Sequence, residues 1–353
     1  MVDLKIQLPD SFLQEEVRSG HLVTAQTKEL WAVLLDLLNE FDRVCKKNNI
    51  HYFLDLGSML GAVRHKGFVP WDEDIDISLL RKDYDRLMEI GPKEFKYPYF
   101  LQNHQTDRYF ERPVARLRRS DTTFLQGDNV INRTKCNKGV FIDLYAYDSI
   151  SSNNPEEAEL IHSKCKKIWE RGVLLANPPK LFHGGELPVL IPKYLYYRIR
   201  YGSASKQFKE MERVAKGSED DSSEYVSLLF TVTSPPYICQ RKDIEKTIDV
   251  PFECLMVPIP EEYDKFLVQR YGDYMTPVKE DIVAMGKLWF FDTDHSYKDV
   301  VKQKDFYPNI CRELSLDLRR RDWGNLLSSL KNSVILIWSK IIYDIKTYKK
   351  NNL

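Results

Sequence analysis

Apolar residues recur at three- and four-residue steps between Leu30 and Cys45, which is the spacing of one face of an α-helix. The polar run at residues 46–49, Lys-Lys-Asn-Asn, is typical of a helix C-terminus. The apolar and aromatic residues at 52–54 then predict a strand. The pattern therefore predicts an amphipathic helix that packs on a sheet and is followed directly by a strand of that sheet.

Between residues 72 and 77 the pattern changes to carboxylates that alternate with aliphatic side chains. Period-two spacing in a strand sends Asp72, Asp74 and Asp76 to one face. Ile75 and Ile77 then point the other way, into a core. We expect an acidic strand whose three aspartates share one surface.

The remaining pattern adds helices and a further strand. Residues 81–90 predict a helix, and residues 139–145 predict a strand of β-branched and aromatic residues that contains one acid, Asp143. Residues 154–180 are helical in pattern, and Asn-Pro-Pro at 177–179 ends them. This order indicates an α/β protein with a central sheet, flanking helices and added helical segments.

Composition narrows the range of functions. The chain has 353 residues, 43% of them hydrophobic, enough for one large or two modest domains. Its 52 basic and 52 acidic residues cancel, so there is no global basic field and nucleic acid is not expected as a partner. The six cysteines form no C-x-x-C pair, which favours a reducing compartment. The N-terminus lacks the features of a signal peptide, and we expect a cytoplasmic protein.

The acidic pattern predicts a metal site. Like charges repel, and convergent aspartates are tolerated when a cation lies between them. Oxygen ligands favour Mg²⁺ over Zn²⁺. Asp143 lies inside an apolar strand, where an unpaired charge is costly, so it also needs a partner or a metal. The alternatives are a solvated turn or helix cap at residues 72–76 and a strand-end aspartate that caps a turn at Asp143.

A phosphate-sized turn precedes the acids. Gly57 lets a ligand approach the backbone closely, and the N–H groups that open a helix at Ser58 bind phosphate oxygens. Arg64, His65 and Lys66 follow as a basic cluster whose charge could offset that of a diphosphate. Together the motifs predict a nucleotide held through a divalent metal. A plain turn and solvated loop charges are the alternatives.

Residues 52–77 resemble the signature of the LicD family. The similarity covers about residues 28–277, and Glu73 stands where many members carry a third consecutive aspartate. The family comprises nucleotidyltransferase-fold enzymes that include bacterial phosphocholine transferases, with fukutin and fukutin-related protein as distant relatives. The resemblance implies a nucleotidyltransferase-like fold with a mixed central sheet. It continues through residues 116–118, 122–124, 139–144 and 271–275.

Carried over to this chain, the resemblance implies a set of catalytic and metal-binding acids and a set of substrate contacts. Asp74 and Asp76 would bind the metal. Asp143 would either complete the metal site or accept the proton of the attacking hydroxyl. The resemblance makes Gly57 and Ser58 the turn that contacts phosphate. With the basic cluster and the residues beside the acids, the expected substrate-binding residues are Gly57, Ser58, Arg64, His65, Lys66, Trp71 and Asp72.

The resemblance also implies an activity, the Mg²⁺-dependent transfer of phosphocholine from CDP-choline to a hydroxyl of a glycan. The glycan would be of the teichoic acid or lipopolysaccharide type, on a lipid-linked precursor. Mn²⁺ is an alternative cofactor, and CDP-ribitol or CDP-glycerol is an alternative donor. A D-x-D glycosyltransferase and a non-catalytic nucleotide- or membrane-binding protein are the alternative functions.

A choline donor would bring a quaternary ammonium group into the site, and such groups bind to aromatic faces. Trp71 lies beside the acids in sequence, and Phe141, Tyr145 and Tyr147 flank Asp143. An aromatic box is therefore expected if choline is the donor group. Burial of each ring in the core is the alternative.

The sequence divides into a LicD-like domain at 25–297 and a C-terminal segment at 313–350. The domain has a core at about 25–150 and helical additions at 151–297. The C-terminal segment is amphipathic and basic, and its apolar stretch is shorter than the roughly twenty residues that span a bilayer. We expect either an interfacial anchor at 319–350, on the inner face of the cell membrane, or a helix that packs on its own domain or on a dimer partner.

Overall fold

The computed structural model of the chain describes residues 1–126, 135–150, 154–179, 187–217, 223–229, 236–277 and 289–313. The strands are β1 Glu16–Arg18, β2 His21–Val23, β3 Phe53–Leu54, β4 Asp76–Leu80, β5 Tyr99–Gln102, β6 Ala115–Arg119, β7 Thr123–Gln126, β8 Val140–Ile150, β9 Tyr225–Leu228, β10 Tyr237–Gln240, β11 Thr247–Phe252, β12 Leu255–Pro260 and β13 Trp289–Asp292. The helices are α1 Ala25–Asn48, α2 Leu56–His65, α3 Arg81–Glu94, α4 Pro155–Ala176, α5 Leu187–Tyr201, α6 Ala204–Lys216, α7 Lys242–Glu245, α8 Tyr263–Tyr271, α9 Tyr297–Val300 and α10 Phe306–Glu313.

The central sheet is mixed. Strand β8 pairs in parallel with β4 on one side. On its other side β8 pairs antiparallel with β6 through residues 140–144 and with β9 through residues 147–150. Beyond these, β3 pairs with β4, β5 with β6 and β10 with β9. The predicted α/β fold with a mixed central sheet and flanking helices is confirmed. Strands β9 and β10, which follow residue 150 in the chain, also belong to this sheet.

Helix α1 packs on the apolar face of the sheet. Thr24 caps its N-terminus by accepting a hydrogen bond from the Thr27 N–H at 3.2 Å, and Asn49 ends it in the left-handed region with φ 54°. The buried side chains of α1 form one core with those of the strands. The predicted amphipathic helix is confirmed. Its core partners on β4 and β8 include Ile77, Leu79, Ile142 and Leu144.

The predicted acidic strand at residues 72–77 is wrong for residues 72–75. Strand β4 begins at Asp76, and residues 72–75 precede it without regular secondary structure. The backbone of Asp72 is engaged elsewhere. Its N–H donates to the Val69 carbonyl at 2.9 Å, and its carbonyl accepts the Trp31 indole N–H at 2.9 Å. These two bonds use the backbone groups that a sheet ladder would need.

Helices α4 and α6 pack together over a second, smaller core that includes Cys165, Phe208 and Met211. Helix α4 follows an Asn154 cap, whose side chain accepts a hydrogen bond from the Glu156 N–H at 2.9 Å. It ends at Ala176, directly before the Asn-Pro-Pro run, as the sequence predicts.

The predicted C-terminal segment at 313–350 lies, beyond Glu313, outside the described residues, and so does the predicted membrane contact at 319–350. Among the helices that the structure describes, none is long and apolar enough to cross a bilayer.

Candidate active site

A row of polar side chains crosses the face of the central sheet that is turned away from α1. Gln102 of β5 aligns with Arg116 of β6, and Arg116 aligns with Asp143 of β8. Asp143 in turn aligns with Asp76 of β4. Residues aligned in this way point to the same side of a sheet. The row therefore joins four strands through polar groups on one surface.

Four carboxylates meet at the β4 end of this row. Asp76 and Asp143 are neighbours across the two parallel strands. Asp72 and Asp74 precede β4, and after desolvation the charges of the neighbouring acids contribute to the raised pKa of Asp72, Asp74 and Asp76, so the four carboxylates lie within electrostatic reach of one another. A Cβ atom added to Gly57 would stand 2.9 Å from Asp72 Oδ2, so Asp72 lies against the first turn of α2. The structure thus brings the predicted acids to the predicted phosphate turn.

The surroundings of these carboxyl groups disfavour their charged forms. Desolvation, followed by repulsion from Asp74, raises the pKa of Asp72 to about 7. Desolvation, followed by repulsion from Asp143, raises the pKa of Asp74 to about 6. Desolvation and the neighbouring acids also raise the pKa of Asp76 well above its usual value. A cation among the carboxylates would offset this repulsion and stabilise their ionised forms.

Asp143 differs from the other three acids because it already contacts a cation. Arg116 Nε donates to Asp143 Oδ1 at 2.6 Å, and Arg116 Nη2 donates to Asp143 Oδ2 at 3.3 Å. Within the described ranges, no three Asp, Glu, His or Cys side chains already stand in a metal-binding arrangement. The chemistry of the donor set still fits a hard divalent cation, because Asp72, Asp74 and Asp76 supply only carboxylate oxygens. The Mg²⁺ site stays a prediction, and Asp143 can join it only by sharing its charge with Arg116.

The N-terminus of α2 is anchored by Asp55 and Arg270, neither of which is among the predicted site residues. Asp55 accepts hydrogen bonds from the Leu56 N–H at 2.7 Å, the Ser78 hydroxyl at 2.8 Å and the Tyr147 hydroxyl at 3.0 Å. Arg270 Nη1 also donates to Asp55 Oδ1 at 2.5 Å. Burial by itself would raise the pKa of Asp55, and the Arg270 charge outweighs it, so this pKa is lowered. An aspartate just before a helix start is a sequence signal for an N-cap, whereas no local pattern reveals Arg270.

Ser58 contributes to the predicted phosphate turn in two ways. Its Oγ accepts a hydrogen bond from the Asp76 N–H at 2.9 Å and so ties α2 to β4. The backbone N–H groups in the first turn of a helix lack an intrahelical acceptor, and they carry the positive end of the helix dipole. Gly57 and Ser58 are therefore suited to bind phosphate oxygens through their backbone N–H groups rather than through the Ser58 hydroxyl.

The three residues of the basic cluster have different surroundings. The Arg64 charge opposes the pKa rise of Asp72, which places Arg64 within electrostatic reach of the acids. Arg64 Nε donates to His65 Nε2 at 2.8 Å, and desolvation followed by the Arg64 charge lowers the pKa of His65 to about 4. Lys66 is exposed and ends α2 with φ 55°. Of the three, Arg64 is the residue that the structure relates to the acids.

Of the predicted aromatic residues, Tyr145 is the one that the structure relates to the acids. Desolvation and then the Asp76 charge raise the pKa of the Tyr145 hydroxyl well above its usual value. Phe141 is buried, with the Arg116 guanidinium 3.6 Å from its ring centroid. Trp71 is half-buried beside the hairpin of β1 and β2. A choline-binding box stays a prediction, and Tyr145 is its best-placed candidate.

A helix N-terminus that faces clustered carboxylates on a mixed sheet defines a nucleotidyltransferase-like α/β protein. Residues 49–163 match the family model described as LicD/FKTN/FKRP, nucleotidyltransferase domain. The chain therefore carries a LicD-family domain, and the resemblance predicted from the sequence is confirmed. The matched range contains Gly57 and all four clustered acids.

Three curated relatives cover different shares of the chain. A lipopolysaccharide cholinephosphotransferase LicD of Haemophilus influenzae is 26% identical over 275 residues, which are 72% of this chain and 93% of the relative. An uncharacterized protein of Rickettsia prowazekii is 40% identical over 167 residues, 44% of this chain and 61% of the relative. An uncharacterized protein of Rickettsia typhi is 34% identical over 99 residues, 26% of this chain and 32% of the relative. The family match and the first relative confirm the predicted enzyme class, a phosphotransferase.

Proposed function

We propose that this protein transfers phosphocholine from CDP-choline to a hydroxyl group of a glycan, with Mg²⁺ as its cofactor. The observation that carries the proposal is the convergence of four carboxylates on the N-terminus of α2, with Asp72 against Gly57. A diphosphate donor uses both features, because helix N–H groups bind phosphate and carboxylates bind the metal. The relative named as a lipopolysaccharide cholinephosphotransferase supports choline as the transferred alcohol and a lipopolysaccharide-type glycan as the acceptor.

Different residues of the site would bind different parts of the donor. Asp72, Asp74 and Asp76 would hold Mg²⁺, which when bound supplies positive charge to offset the negative charge of the diphosphate. The first turn of α2, at Gly57 and Ser58, would orient a donor phosphate through its N–H groups. Because Gly57 has no side chain, the Asp72 carboxylate can lie against the first turn of α2, next to the phosphate that this turn would bind.

Asp143 would act on the acceptor. Two hydrogen bonds from Arg116 orient the Asp143 carboxylate, and an oriented carboxylate can accept the proton of an attacking hydroxyl. In that step the acceptor oxygen bonds to the phosphorus of phosphocholine, the proton moves to Asp143, and CMP leaves. Direct metal binding by Asp143 is the alternative role. It would weaken the contact with Arg116.

The acceptor and the location of the protein are further parts of the proposal. A teichoic acid acceptor, a lipid-linked precursor and contact with the inner face of the cell membrane all rest on the family resemblance. The membrane contact would use residues 319–350, whose Trp, Ile and Lys content is typical of an interfacial helix.

Thermal stabilisation by nucleotides tests the donor. We expect CDP-choline together with Mg²⁺ to raise the melting temperature of the full chain, because a ligand that binds only the native state stabilises it by mass action. At a ligand concentration of about 100 times Kd, the gain in unfolding free energy is about 2.7 kcal/mol. CDP-ribitol, CDP-glycerol and UDP-glucose are compared in the same thermal scan, each with and without Mg²⁺.

Two variants complete this experiment. Asp76→Asn should lose the Mg²⁺-dependent shift, whereas Asp299→Asn, which changes an acid whose side chain is 73% exposed, should keep it. A larger shift with CDP-ribitol or CDP-glycerol would change the donor. A shift with UDP-glucose would favour a D-x-D glycosyltransferase. The absence of a shift with every nucleotide would contradict the proposal.

A further inference from the structure

Helix α5 has no buried residue, although it is rich in leucine, isoleucine and tyrosine. Each of the other described helices of ten or more residues buries at least three residues. Packing of an apolar face is the usual source of helix stability in a protein. Helix α5 therefore presents apolar surface that no described residue covers.

The exposed apolar residues of α5 form one stripe. Ile191, Leu195 and Ile199 are 45%, 52% and 86% exposed, and they follow one another at four-residue steps. At about 100° per residue, the three lie within about 80° of one another on the helix surface. A different side of α5 faces the protein, since the Arg171 guanidinium of α4 lies 4.3 Å from the Tyr201 ring centroid. The stripe therefore faces away from the body of the protein.

Three cationic side chains lie on the two sides of this stripe, and α5 carries no acidic residue. By the same helical spacing, Arg198 lies next to the stripe on one side, whereas Lys193 and Arg200 lie beyond it on the other. All three are exposed. Long cationic side chains in such positions can reach anionic headgroups while the apolar stripe is buried among acyl chains.

The positive charge continues beside α5. Arg198 also lines a cavity of about 810 Å³ between the segment that follows β5 and the helices α4, α5 and α6. The other Lys and Arg residues of its lining are Arg108, Lys135 and Lys209, all of them exposed, and no carboxylate of the described residues lines it. The exposed apolar stripe is therefore next to a surface with an excess of positive charge.

Charge decides which partner fits this surface. A second copy of the chain that packed α5 against α5 would bring three cations against three, and like charges in contact are unfavourable. An anionic bilayer supplies the opposite charge and also removes the apolar stripe from water. The four tyrosines of α5 agree with this partner, because tyrosine is enriched at the level of lipid headgroups.

We propose that α5 is an interfacial helix that binds the surface of an anionic lipid bilayer. The stripe of Ile191, Leu195 and Ile199 is buried at the boundary between headgroups and acyl chains, and the cations of α5 bind lipid phosphates. This contact is distinct from the one predicted for residues 319–350. It rests on the surface of α5 and not on the transferase function.

Co-sedimentation of the full chain with lipid vesicles tests the proposal. We expect the wild type to bind phosphatidylglycerol vesicles at least about tenfold more tightly than phosphatidylcholine vesicles, and to lose this preference at about 1 M salt, which screens the charges. The double variant Leu195→Gln/Ile199→Gln should bind phosphatidylglycerol vesicles at least about tenfold more weakly than the wild type, because it loses apolar burial. Arg198→Gln/Arg200→Gln should weaken this binding by a similar factor, because it loses two cations.

The hairpin of β1 and β2 offers a matched control. Val17 and Leu22 are 72% and 53% exposed, so Val17→Gln/Leu22→Gln removes a similar apolar surface from another element. This control should bind phosphatidylglycerol vesicles as the wild type does. All three double variants change exposed side chains and should match the wild type in melting temperature, with and without CDP-choline and Mg²⁺.

Three results would overturn this proposal. The first is the absence of vesicle binding by the wild type. If light scattering then showed that Leu195→Gln/Ile199→Gln dissociates a wild-type dimer, the stripe would be assigned to a second copy of the chain. The second is equal vesicle binding by the wild type and either α5 variant, which would leave any membrane contact to residues 319–350. The third is equal weakening by the α5 variants and the hairpin control.

The two proposals fail separately. Stabilisation of the wild type by CDP-choline with Mg²⁺ is measured on the same samples. If CDP-choline stabilises the protein while vesicles do not bind, the α5 assignment fails alone. If vesicles bind through α5 while no nucleotide stabilises the protein, the transferase function fails and the interfacial helix stands.

Discussion

Asp55 and Asp76 are both buried, and their pKa values move in opposite directions. Burial raises the pKa of each carboxyl group, so the neighbouring charge decides the outcome. Asp55 faces the Arg270 guanidinium and accepts three further hydrogen bonds, which keep it ionised as a structural acid. Asp76 faces Asp74 and Asp143, so burial and then the repulsion from these acids raise its pKa, and a bound cation would offset that repulsion. At the scale of single residues, the charge of the neighbouring group therefore distinguishes the two roles. Asp55, beside a cation, stabilises the fold, whereas Asp76, beside other acids, would bind a ligand.

We expect the protein in EDTA to lose stability as the pH rises from about 4 to about 7. The pKa of Asp72 is about 7 and that of Asp74 about 6 in the folded protein, whereas an unfolded aspartate has a pKa of about 3.9. Between these values the folded state binds more protons than the unfolded state does, so the free energy of unfolding falls as pH rises. Urea unfolding across this pH range measures the effect.

Asp74→Asn removes one of the groups that titrate. Relative to the wild type, this variant should gain on the order of 1 kcal/mol at pH 7 and nothing at about pH 4. The value is modest because the Asp74 side chain, although crowded by the other acids, also reaches solvent, which screens part of its charge. Asp299→Asn should show no pH-dependent difference. If Asp74→Asn changed stability equally at both pH values, the raised pKa would be wrong.

Helix α2 is the element that carries the phosphate turn. Its first turn is close to Asp72, since a Cβ atom at Gly57 would meet that carboxylate at 2.9 Å. Its middle is packed against backbone, since a Cβ atom at Gly61 would stand 2.4 Å from the Gly67 carbonyl oxygen and 3.1 Å from the Val69 nitrogen. Gly57 is therefore needed for the ligand site, whereas Gly61 is needed for the packing of the fold.

Alanine at each glycine separates these two requirements. Gly57→Ala should leave the free energy of unfolding within about 1 kcal/mol of the wild-type value, because alanine favours a helix and the Asp72 side chain can move. It should weaken the Mg²⁺-dependent binding of CDP-choline at least tenfold. Gly61→Ala should lower the free energy of unfolding by about 1–3 kcal/mol, because backbone cannot move aside as easily. Urea unfolding and calorimetry measure both effects, and equal behaviour of the two variants would contradict this assignment.

The sequence predicts those elements whose signal is local. The helical spacing from Leu30 to Cys45 and the break at 177–179 each appear in the fold as α1 and as the end of α4. The start of β4 does not follow from local spacing, because the Trp31 indole binds the Asp72 carbonyl 41 residues away. The acids of the site were all predicted, while their partners were not.

Those partners are distant in the chain. Arg116 is 27 residues from Asp143, and Arg270 is 215 residues from Asp55. Periodicity reports which face a side chain occupies, and it carries no information about which distant cation meets it. The anchoring of α2 and the orientation of Asp143 therefore required the three-dimensional structure.

At the scale of the whole molecule, the site depends on residues far beyond its motif. Arg270 at the end of α8 contacts Asp55, and Arg64 Nη1 donates to the Tyr274 carbonyl at 2.8 Å. The later part of the chain thus contacts both ends of α2. The chain as a whole has no net charge, and its electrostatic function is local, with an acidic site on the central sheet and a basic cavity beyond β5.

Release of CMP from CDP-choline by the full chain, followed together with phosphocholine incorporation into a lipopolysaccharide-type glycan, tests the central claim most directly. The account predicts that CMP and phosphocholine-bearing glycan form in equal amounts with Mg²⁺. It also predicts that EDTA abolishes both products and that Asp76→Asn lowers the rate by about 10³-fold, on the scale of losing a main source of electrostatic stabilisation. Asp299→Asn should retain the wild-type rate. Equal rates for the wild type and Asp76→Asn, or no CMP from the wild type with Mg²⁺ and acceptor present, would contradict it.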